Sequence, residues 1–311
     1  MQFPSPQKYL DAAARLRRWQ EACVICPRAC RVNRLLDQRG YCRAGELAAV
    51  NTHQLHHGEE PPISGSRGSG TVFFAGCTLG CLFCQNFSIS QEGWGREMDA
   101  AGLAEIFLDL EGQGAHNLNL VTPTPHLPVI LEALGLAREA GCALPVVYNT
   151  SGYERAATLR QLDGLVEVYM PDYKYTAPAA AAELSGAADY PEQARAALAE
   201  MHRQVGNLRL DEEGVAQTGL LVRHLVLPGD LSGTARALLD LVEIAGPEVF
   251  VSLMSQYYPA HKATGHPLLK RSLNLLEYGA AMRALEDSGI ENGFVQGLAS
   301  NKGEYLPGFE L

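Results

Sequence analysis

The sequence lacks any apolar run near the roughly 18 residues that a membrane-spanning helix needs. Its first residues also lack the basic and then apolar layout of a secretion signal, so we expect a cytoplasmic protein that binds no membrane. Aromatic residues make up only 7% and charged residues only 19% of the 311 residues, beside 47% hydrophobic ones. This balance is typical of globular chains and excludes disordered, collagen-like and low-complexity classes.

Several catalytic motifs are also missing from the sequence, namely G-x-S-x-G, H-E-x-x-H, G-x-G-x-x-G and a phosphate loop ending in G-K-[ST]. Hydrolase, zincin and dinucleotide-binding classes therefore lack support. The net charge of −10 disfavours nucleic-acid binding in general, without excluding it. In residues 1–45, nine basic residues face three acidic ones, and there we expect Arg28, Arg31 and Arg34 to form a cationic patch facing a substrate or protein partner.

From residue 71 onward, short apolar or β-branched runs alternate with amphipathic stretches of helical period. The runs predict strands at 71–75, 117–122, 145–149, 165–170, 219–227 and 248–253. The amphipathic stretches predict helices near 99–112, 127–140, 152–162, 191–205, 231–245 and 268–288. Six such units predict an α/β fold, a partial (β/α)6 barrel of parallel strands, because a closed barrel would need eight.

The residues before this repeat predict a helix beginning near Pro6 and then a cysteine-rich loop at 23–42. We predict two parts: residues 1–66 as an N-terminal helix with a four-cysteine metal-binding segment, and residues 67–311 as the barrel with a C-terminal tail. Cys23, Cys26, Cys30 and Cys42 can close one site, because both zinc and an iron–sulfur cluster accept four thiolates. Zinc, an auxiliary iron–sulfur cluster and a metal-free loop are the three alternatives.

Cys77, Cys81 and Cys84 follow the first predicted strand with the spacing C-x3-C-x2-C. Three thiolates on one short loop can bind three irons of a [4Fe–4S] cluster and leave the fourth iron open to another ligand. Zinc fits less well, because structural zinc takes four protein ligands and catalytic zinc sets include histidine or carboxylate. Polar residues end five of the six predicted strands, and parallel strand ends of this kind gather at one mouth.

A C-x3-C-x2-C loop after the first strand of a partial βα barrel resembles the radical S-adenosylmethionine superfamily. The resemblance implies that the open iron of a [4Fe–4S] cluster chelates S-adenosylmethionine. It further implies that one electron splits this cosubstrate to give a 5′-deoxyadenosyl radical, which removes hydrogen from a substrate. The electron would come from a donor such as flavodoxin or ferredoxin.

A closer resemblance covers nearly the whole chain, in the stretches 59–65, 73–77, 84–86, 119–124, 148–153 and 254–257. These stretches look like the group of radical S-adenosylmethionine proteins named for similarity to pyruvate formate-lyase activating enzyme. Asp172 and Lys174 resemble the activase Asp-x-Lys, whose lysine meets the cosubstrate carboxylate, and Arg223 begins an Arg-x4-Pro-Gly strand similar to that of the activase.

Other cosubstrate contacts follow from the same resemblance. Asn149 and Ser151 stand where the activase meets the nucleoside, and Gln256 belongs to one of the shared stretches. The Gly-Gly-Glu expected after the second strand is replaced by a Thr-Pro-Thr-Pro run. The resemblance therefore leaves Thr122 and Thr124, through their hydroxyls or nearby carbonyls, to hold the methionyl amino group.

These observations predict an enzyme of the radical S-adenosylmethionine class whose substrate is open. Activation of a glycyl-radical enzyme, and so a protein substrate, is the first form of the hypothesis. Radical modification of a metabolite, peptide or RNA is the alternative. A non-enzymatic electron-transfer protein with two metal sites is the alternative from another class, although an electron carrier has no need of polar strand ends.

Overall fold

The computed structural model describes residues 3–298 as an α/β protein with a mostly parallel sheet. Its helices are α1 (Pro6–Arg18), α2 (Pro61–Ser64), α3 (Phe87–Ser90), α4 (Ala100–Gly112), α5 (Leu127–Glu139), α6 (Ala156–Leu159), α7 (Pro178–Ser185), α8 (Tyr190–Val205), α9 (Thr234–Ala245) and α10 (Leu275–Ser288). Its strands are β1 (Ala48–His56), β2 (Ser69–Phe74), β3 (Arg96–Met98), β4 (Leu118–Val121), β5 (Val146–Thr150), β6 (Val168–Pro171), β7 (Arg209–Leu210), β8 (Ala216–Leu225), β9 (Phe250–Met254) and β10 (Asn292–Val295).

The strands run in the order β10-β9-β8-β6-β5-β4-β2-β1-β3, and β7 pairs with β8. All six predicted strands are present, as β2, β4, β5, β6, β8 and β9, and consecutive ones pair in parallel. Helices separate most of them, which confirms the α/β class and the parallel sheet. Closure into a partial barrel and the division at residue 66 stay predictions, and residues 299–311 of the expected tail lie outside the described part.

Four strands of the sheet were not predicted, among them the two-residue β7, which pairs antiparallel with β8. β1 and β3 add an antiparallel edge beside β2, and β10 extends the other edge in parallel to β9. β1 is a half-exposed strand with polar residues on both faces, so it lacks the apolar alternation that identifies a strand in a sequence. β10 is likewise mostly exposed and only four residues long.

Two predicted helices are shorter than expected. α10 begins at Leu275 rather than near residue 268, because the Asn274 side chain accepts the backbone N–H groups of Leu276 and Glu277 in a capping box. The stretch predicted at 152–162 contains only the single turn α6 and a 3-10 turn at Arg160–Leu162.

One hydrophobic core joins the amino-terminal helix to the sheet. Tyr9 and Leu16 of α1 share this core with Phe107 of α4 and Leu120 of β4. A Cβ on Gly135 would collide with Leu10, so α1 lies close against α5. The amino-terminal segment is therefore held at a fixed place relative to the strand ends.

Candidate active site

A cavity of about 540 Å³ lies among the carboxyl ends of the parallel strands. It brings together residues that are far apart in the sequence and that sequence reasoning had selected. These residues are Cys77, Cys81, Cys84, Thr122, Asn149, Ser151, Asp172, Lys174, Arg223 and Gln256. The strand ends of one sheet thus form one polar pocket that is also lined by three thiols, an arrangement typical of ligand sites.

The cysteine loop follows directly after β2. Gly76 and Gly80 have φ angles of +83° and +73°, a region that favours glycine, and they let the loop turn tightly around Cys77. The Cys77 sulfur accepts the Leu79 N–H over 3.4 Å, and the Cys84 sulfur lies 3.2 Å from the Ser90 hydroxyl. Local hydrogen bonds therefore position two of the three thiols.

The three thiols lie close enough together that a negative charge on one raises the pKa of another. Burial raises the pKa of Cys77, and it raises the pKa of Cys84 to about 12, so binding a metal there must displace protons. Within residues 3–298, no group of three or more His, Cys, Asp or Glu side chains is close enough to hold a metal ion as it stands. The donor chemistry of three soft thiolates at a cavity rim nevertheless fits an iron–sulfur cluster.

A chain of charged side chains runs from the cysteines into the cavity. Lys174, an electrostatic neighbour of Cys81, places its Nζ 2.6 Å from Asp172 Oδ2. Asp172 Oδ1 in turn lies 2.9 Å from Arg223 Nε. The other two nitrogens of this guanidinium group donate to Glu59 and Asn149, over 3.2 and 2.6 Å. Strands β5 and β8, the end of β6 and the segment before α2 thus contribute to one network.

The network keeps its members charged. Burial alone would raise the pKa of Asp172, but Arg223 and Lys174 outweigh burial and hold it below the ordinary value of 3.8. Burial would likewise lower the pKa of Lys174, yet Asp172 raises it above 10.5. Lys174 is therefore an ammonium group at neutral pH, suited to binding a carboxylate.

The two threonines after β4 occupy different places. Thr122 lines the cavity with a φ angle of +60°, which is rare for a β-branched residue and occurs mainly at functional positions. Thr124 is 2% exposed, is not among the residues that line the cavity, and donates to Glu154 while lying 3.2 Å from the Tyr148 hydroxyl. Thr122 can thus reach a ligand, whereas the Thr124 hydroxyl is bonded to other side chains outside the cavity lining.

Sequence reasoning did not select Glu59 and Glu60, both of which line the cavity. Glu59 bonds to Arg223 over 3.2 Å and accepts from the Asn119 side chain over 3.1 Å. A signal was present, because both glutamates belong to the stretch 59–65 that carries the family resemblance. Their position before a proline-rich turn, outside any predicted strand, gave no reason to place them in the site.

The second cysteine set lies in the amino-terminal loop. Cys23 and Cys26 are buried, and Cys30 and Cys42 are partly buried. Charge on Cys42 or Cys23 raises the pKa of Cys26, and charge on Cys23 or Cys30 raises the pKa of Cys42. The fold therefore brings the four thiols near one another. Their donor chemistry fits zinc or an iron–sulfur cluster, and the bound metal stays a prediction.

The expected cationic patch on this loop does not exist. Arg28 donates to the carbonyls of residues 78, 79, 185 and 186, which tie the loop to the cysteine loop and to the end of α7. Arg34 is 2% exposed and bonds to the carbonyls of Gly45 and Pro125. Only Arg31 is exposed. Backbone carbonyls of neighbouring segments thus accept the hydrogen bonds of Arg28 and Arg34.

Comparisons with known proteins place the chain in a family. No family model matches the sequence. Uncharacterized protein MJ0674 of Methanocaldococcus jannaschii is 30% identical over 278 residues, which cover 86% of this chain and 75% of the relative. At this identity and coverage, the chain belongs to the same family as the archaeal protein.

A solved structure titled "Native anSMEcpe with bound AdoMet" matches with a TM-score of 0.44 and 12% identity over 73% of this chain. The match spans 59% of that structure, and a likeness this distant identifies neither fold nor function. Among the helices of residues 3–298, none is both long and apolar enough to cross a membrane.

Proposed function

We propose that this protein is a radical S-adenosylmethionine enzyme with a [4Fe–4S] cluster bound by Cys77, Cys81 and Cys84. One observation carries the proposal: these thiols line the same cavity as the Lys174–Asp172–Arg223 network at the strand ends. A cluster with one open coordination position needs a polar pocket beside it to hold the ligand that binds there. The charged network lies in such a pocket, next to the three thiols. When bound, the cluster supplies the electron that splits S-adenosylmethionine into methionine and a hydrogen-abstracting 5′-deoxyadenosyl radical.

The residues of the chain bind and orient this cosubstrate. Lys174 offers an ammonium group to a carboxylate, and Asp172 fixes the direction of that ammonium. Asn149 and Ser151 are assigned to the nucleoside, and Gln256 and Thr122 supply further polar contacts at the rim. Thr124 is left out of the proposed ligand set because it bonds to Glu154 and does not line the cavity.

Aromatic side chains exclude water next to the cysteines. Phe83, between Cys81 and Cys84, is 5% exposed and lines the cavity. Its ring meets Tyr257 and Tyr175 edge-on, at centroid distances of 5.9 and 6.3 Å. A dry wall here strengthens every charged contact in the pocket and protects a reactive radical from solvent.

The substrate has two candidate classes. The resemblance to pyruvate formate-lyase activating enzyme favours a glycyl-radical enzyme as protein partner, with flavodoxin or ferredoxin as electron donor. The position of Glu59 and Glu60 inside the cavity favours a metabolite instead, because a small molecule can reach carboxylates that lie opposite the cysteine loop. Peptide and RNA substrates would have to extend a reactive group to the same place.

The test is release of 5′-deoxyadenosine from S-adenosylmethionine by the anaerobically reconstituted and reduced protein. We expect iron and sulfide at the loop together with cleavage of the cosubstrate. A protein that binds iron and exchanges electrons, yet neither binds nor cleaves S-adenosylmethionine, would instead be the non-enzymatic electron-transfer protein.

A further inference from the structure

Glu60 lies between β1 and α2 and is 9% exposed, yet it lines the main cavity. β1 runs antiparallel to β2 with His56 opposite Ser69, so the chain enters this segment at the amino end of the parallel strands. Asn117, just before β4, donates to the Ile63 carbonyl over 2.7 Å and fixes α2 at the same end. Residues 58–61 therefore form the floor of the cavity, opposite the cysteine loop.

One oxygen of the Glu60 carboxyl group, Oε2, is buried and has no hydrogen-bond partner within the described part of the chain. Arg223 is the nearby cation, but the hydrogen bonds of its three nitrogens go to Asp172, Glu59 and Asn149 rather than to Glu60. Buried carboxyl oxygens are normally hydrogen-bonded, because an unpaired one is destabilising. The Ser252 hydroxyl, which also lines the cavity, acts on the Glu60 carboxyl group but leaves Oε2 without a hydrogen bond, so this oxygen is open to a group from outside the chain.

The charges around the cavity show which kind of group fits. Apart from cysteines and histidines, its ionisable lining residues are Glu59, Glu60, Asp172, Lys174 and Arg223. Three carboxylates face two cations, so the ionised set has one negative charge in excess. Burial raises the pKa of Glu60, against the opposing effect of Arg223, and a cation beside Glu60 would favour its ionised form.

We propose that the floor of the cavity binds a small organic cation, through an ammonium or guanidinium group paired with the Glu60 carboxylate. The inference rests on the proposed function, because this cation is then the substrate of the radical reaction. S-adenosylmethionine is not the expected occupant of the floor. Its anchor Lys174 is next to the cysteines, and Asp172 and Arg223 lie between that lysine and Glu59.

The test compares a cation with a neutral molecule of the same shape. n-Propylguanidinium and n-propylurea are titrated calorimetrically into the full-length, anaerobically reconstituted protein. We expect the guanidinium ion to bind at least tenfold more tightly than the urea, since a charge-assisted pair replaces the unpaired oxygen. Glu60→Gln, which keeps the shape and removes the charge, should lower guanidinium affinity at least tenfold and abolish the discrimination.

Two further variants test whether a loss of guanidinium affinity comes from the charge of Glu60 rather than from a general disturbance of the protein. Glu60→Asp keeps the charge and should retain part of the selectivity for guanidinium. Glu105→Gln removes an exposed carboxylate from α4 and should leave both affinities unchanged. Thermal unfolding of each variant checks that the protein remains folded.

Three results would overturn the inference: equal affinity for guanidinium and urea, full guanidinium affinity in Glu60→Gln, or an equal loss of S-adenosylmethionine affinity in that variant. The last would assign Glu60 to the cosubstrate. Failure of the proposed function is distinguishable, because it appears in the wild-type preparation as missing loop iron or missing 5′-deoxyadenosine. A preparation that cleaves the cosubstrate but binds both probes equally contradicts only the cation site.

Discussion

The two cysteine sets of this chain are similar in sequence and differ in their surroundings. Cys77, Cys81 and Cys84 line a cavity whose other walls carry ionised side chains with direct ion pairs. The amino-terminal set lies in a loop whose arginines Arg28 and Arg34 bond to backbone carbonyls. A ligand can enter the first region, whereas the polar groups of the second are used to hold segments of the chain together.

The regions are also in contact. A Cβ on Gly76 would collide with the Cys42 carbonyl, and the Tyr41 hydroxyl donates to the Leu79 carbonyl over 3.1 Å. The amino-terminal loop thus packs directly on the backbone that presents Cys77. The comparison teaches that one set faces a polar cavity, whereas the other lies in a segment that packs against the loop carrying the first set.

The largest effect is expected from the cysteine loop. Changing Cys77, Cys81 or Cys84 to Ala should remove the loop iron and leave no measurable cleavage of S-adenosylmethionine, because no other thiol lines the same cavity in residues 3–298. Iron content, the paramagnetic signal of the reduced protein and 5′-deoxyadenosine release measure this. Cys142→Ala is the control, since Cys142 is buried outside both sets. Retained cleavage of S-adenosylmethionine in any of these three variants would show that the changed cysteine is not a cluster ligand.

The next largest effect concerns the amino-terminal set. Cys26→Ala should remove one bound metal and make residues 1–50 sensitive to protease, since a structural metal can contribute on the order of 10 kcal/mol to folding. The iron at Cys77, Cys81 and Cys84 should remain. Elemental analysis separates zinc from an additional cluster. Unchanged metal content and unchanged protease resistance would show that this set holds no metal.

Arg28 tests whether the loop is held by carbonyl contacts. Arg28→Ala leaves up to three backbone carbonyls without a donor, because Leu79 keeps the Tyr41 hydroxyl, and should lower the free energy of unfolding by about 2–4 kcal/mol. Arg31→Ala, at an exposed position of the same loop, should change it by less than about 0.5 kcal/mol. Urea denaturation measures both. Equal effects of the two substitutions would restore the surface-patch interpretation.

Glu154 lies between the two regions, bonded to Thr124 and Thr150 and electrostatically close to Cys26. Burial raises its pKa from 4.5 to about 7. The folded protein therefore holds a proton that the unfolded chain has lost between these values, and stability falls as pH rises through this window.

Glu154→Gln should remove that pH dependence. Relative to the variant, the wild-type protein should lose roughly 2–3 kcal/mol of stability between pH 5 and pH 8. Denaturation at a series of pH values measures the difference, with Glu105→Gln as the exposed control. Parallel stability profiles for wild type and Glu154→Gln would mean that the carboxyl group is ionised throughout.

The smallest effect is expected at Lys174. Lys174→Ala should lower the affinity for S-adenosylmethionine about tenfold or more while the loop iron stays bound, because a charge-assisted bond to a carboxylate is lost. Equilibrium binding to the reconstituted protein measures it. Lys270→Ala, at an exposed position, is the control. An unchanged affinity would make Lys174 only the structural partner of Asp172.

The strands and most of the helices follow from local patterns. The six apolar runs are strands because their periodicity and flanking turns are encoded within each segment. The cysteine loop is likewise local, since its three thiols lie within eight residues. β1 and β3 escaped prediction because neither has an apolar alternation of its own, and both are stabilised by pairing with neighbours that a local pattern does not contain.

The sequence by itself thus determined the α/β class, the order of the units and the residue types that gather at the strand ends. Only the tertiary structure decided which of these residues meet. Thr122 and Thr124 are two residues apart, yet the backbone turn at Thr122 places one in the cavity and the other on Glu154. The Arg34 side chain is buried and donates to the carbonyls of Gly45 and Pro125, and Glu60 forms part of the cavity floor. The physical reason is that long polar side chains take their partners from segments distant in sequence, and packing alone sets which buried carbonyl or carboxylate lies within reach.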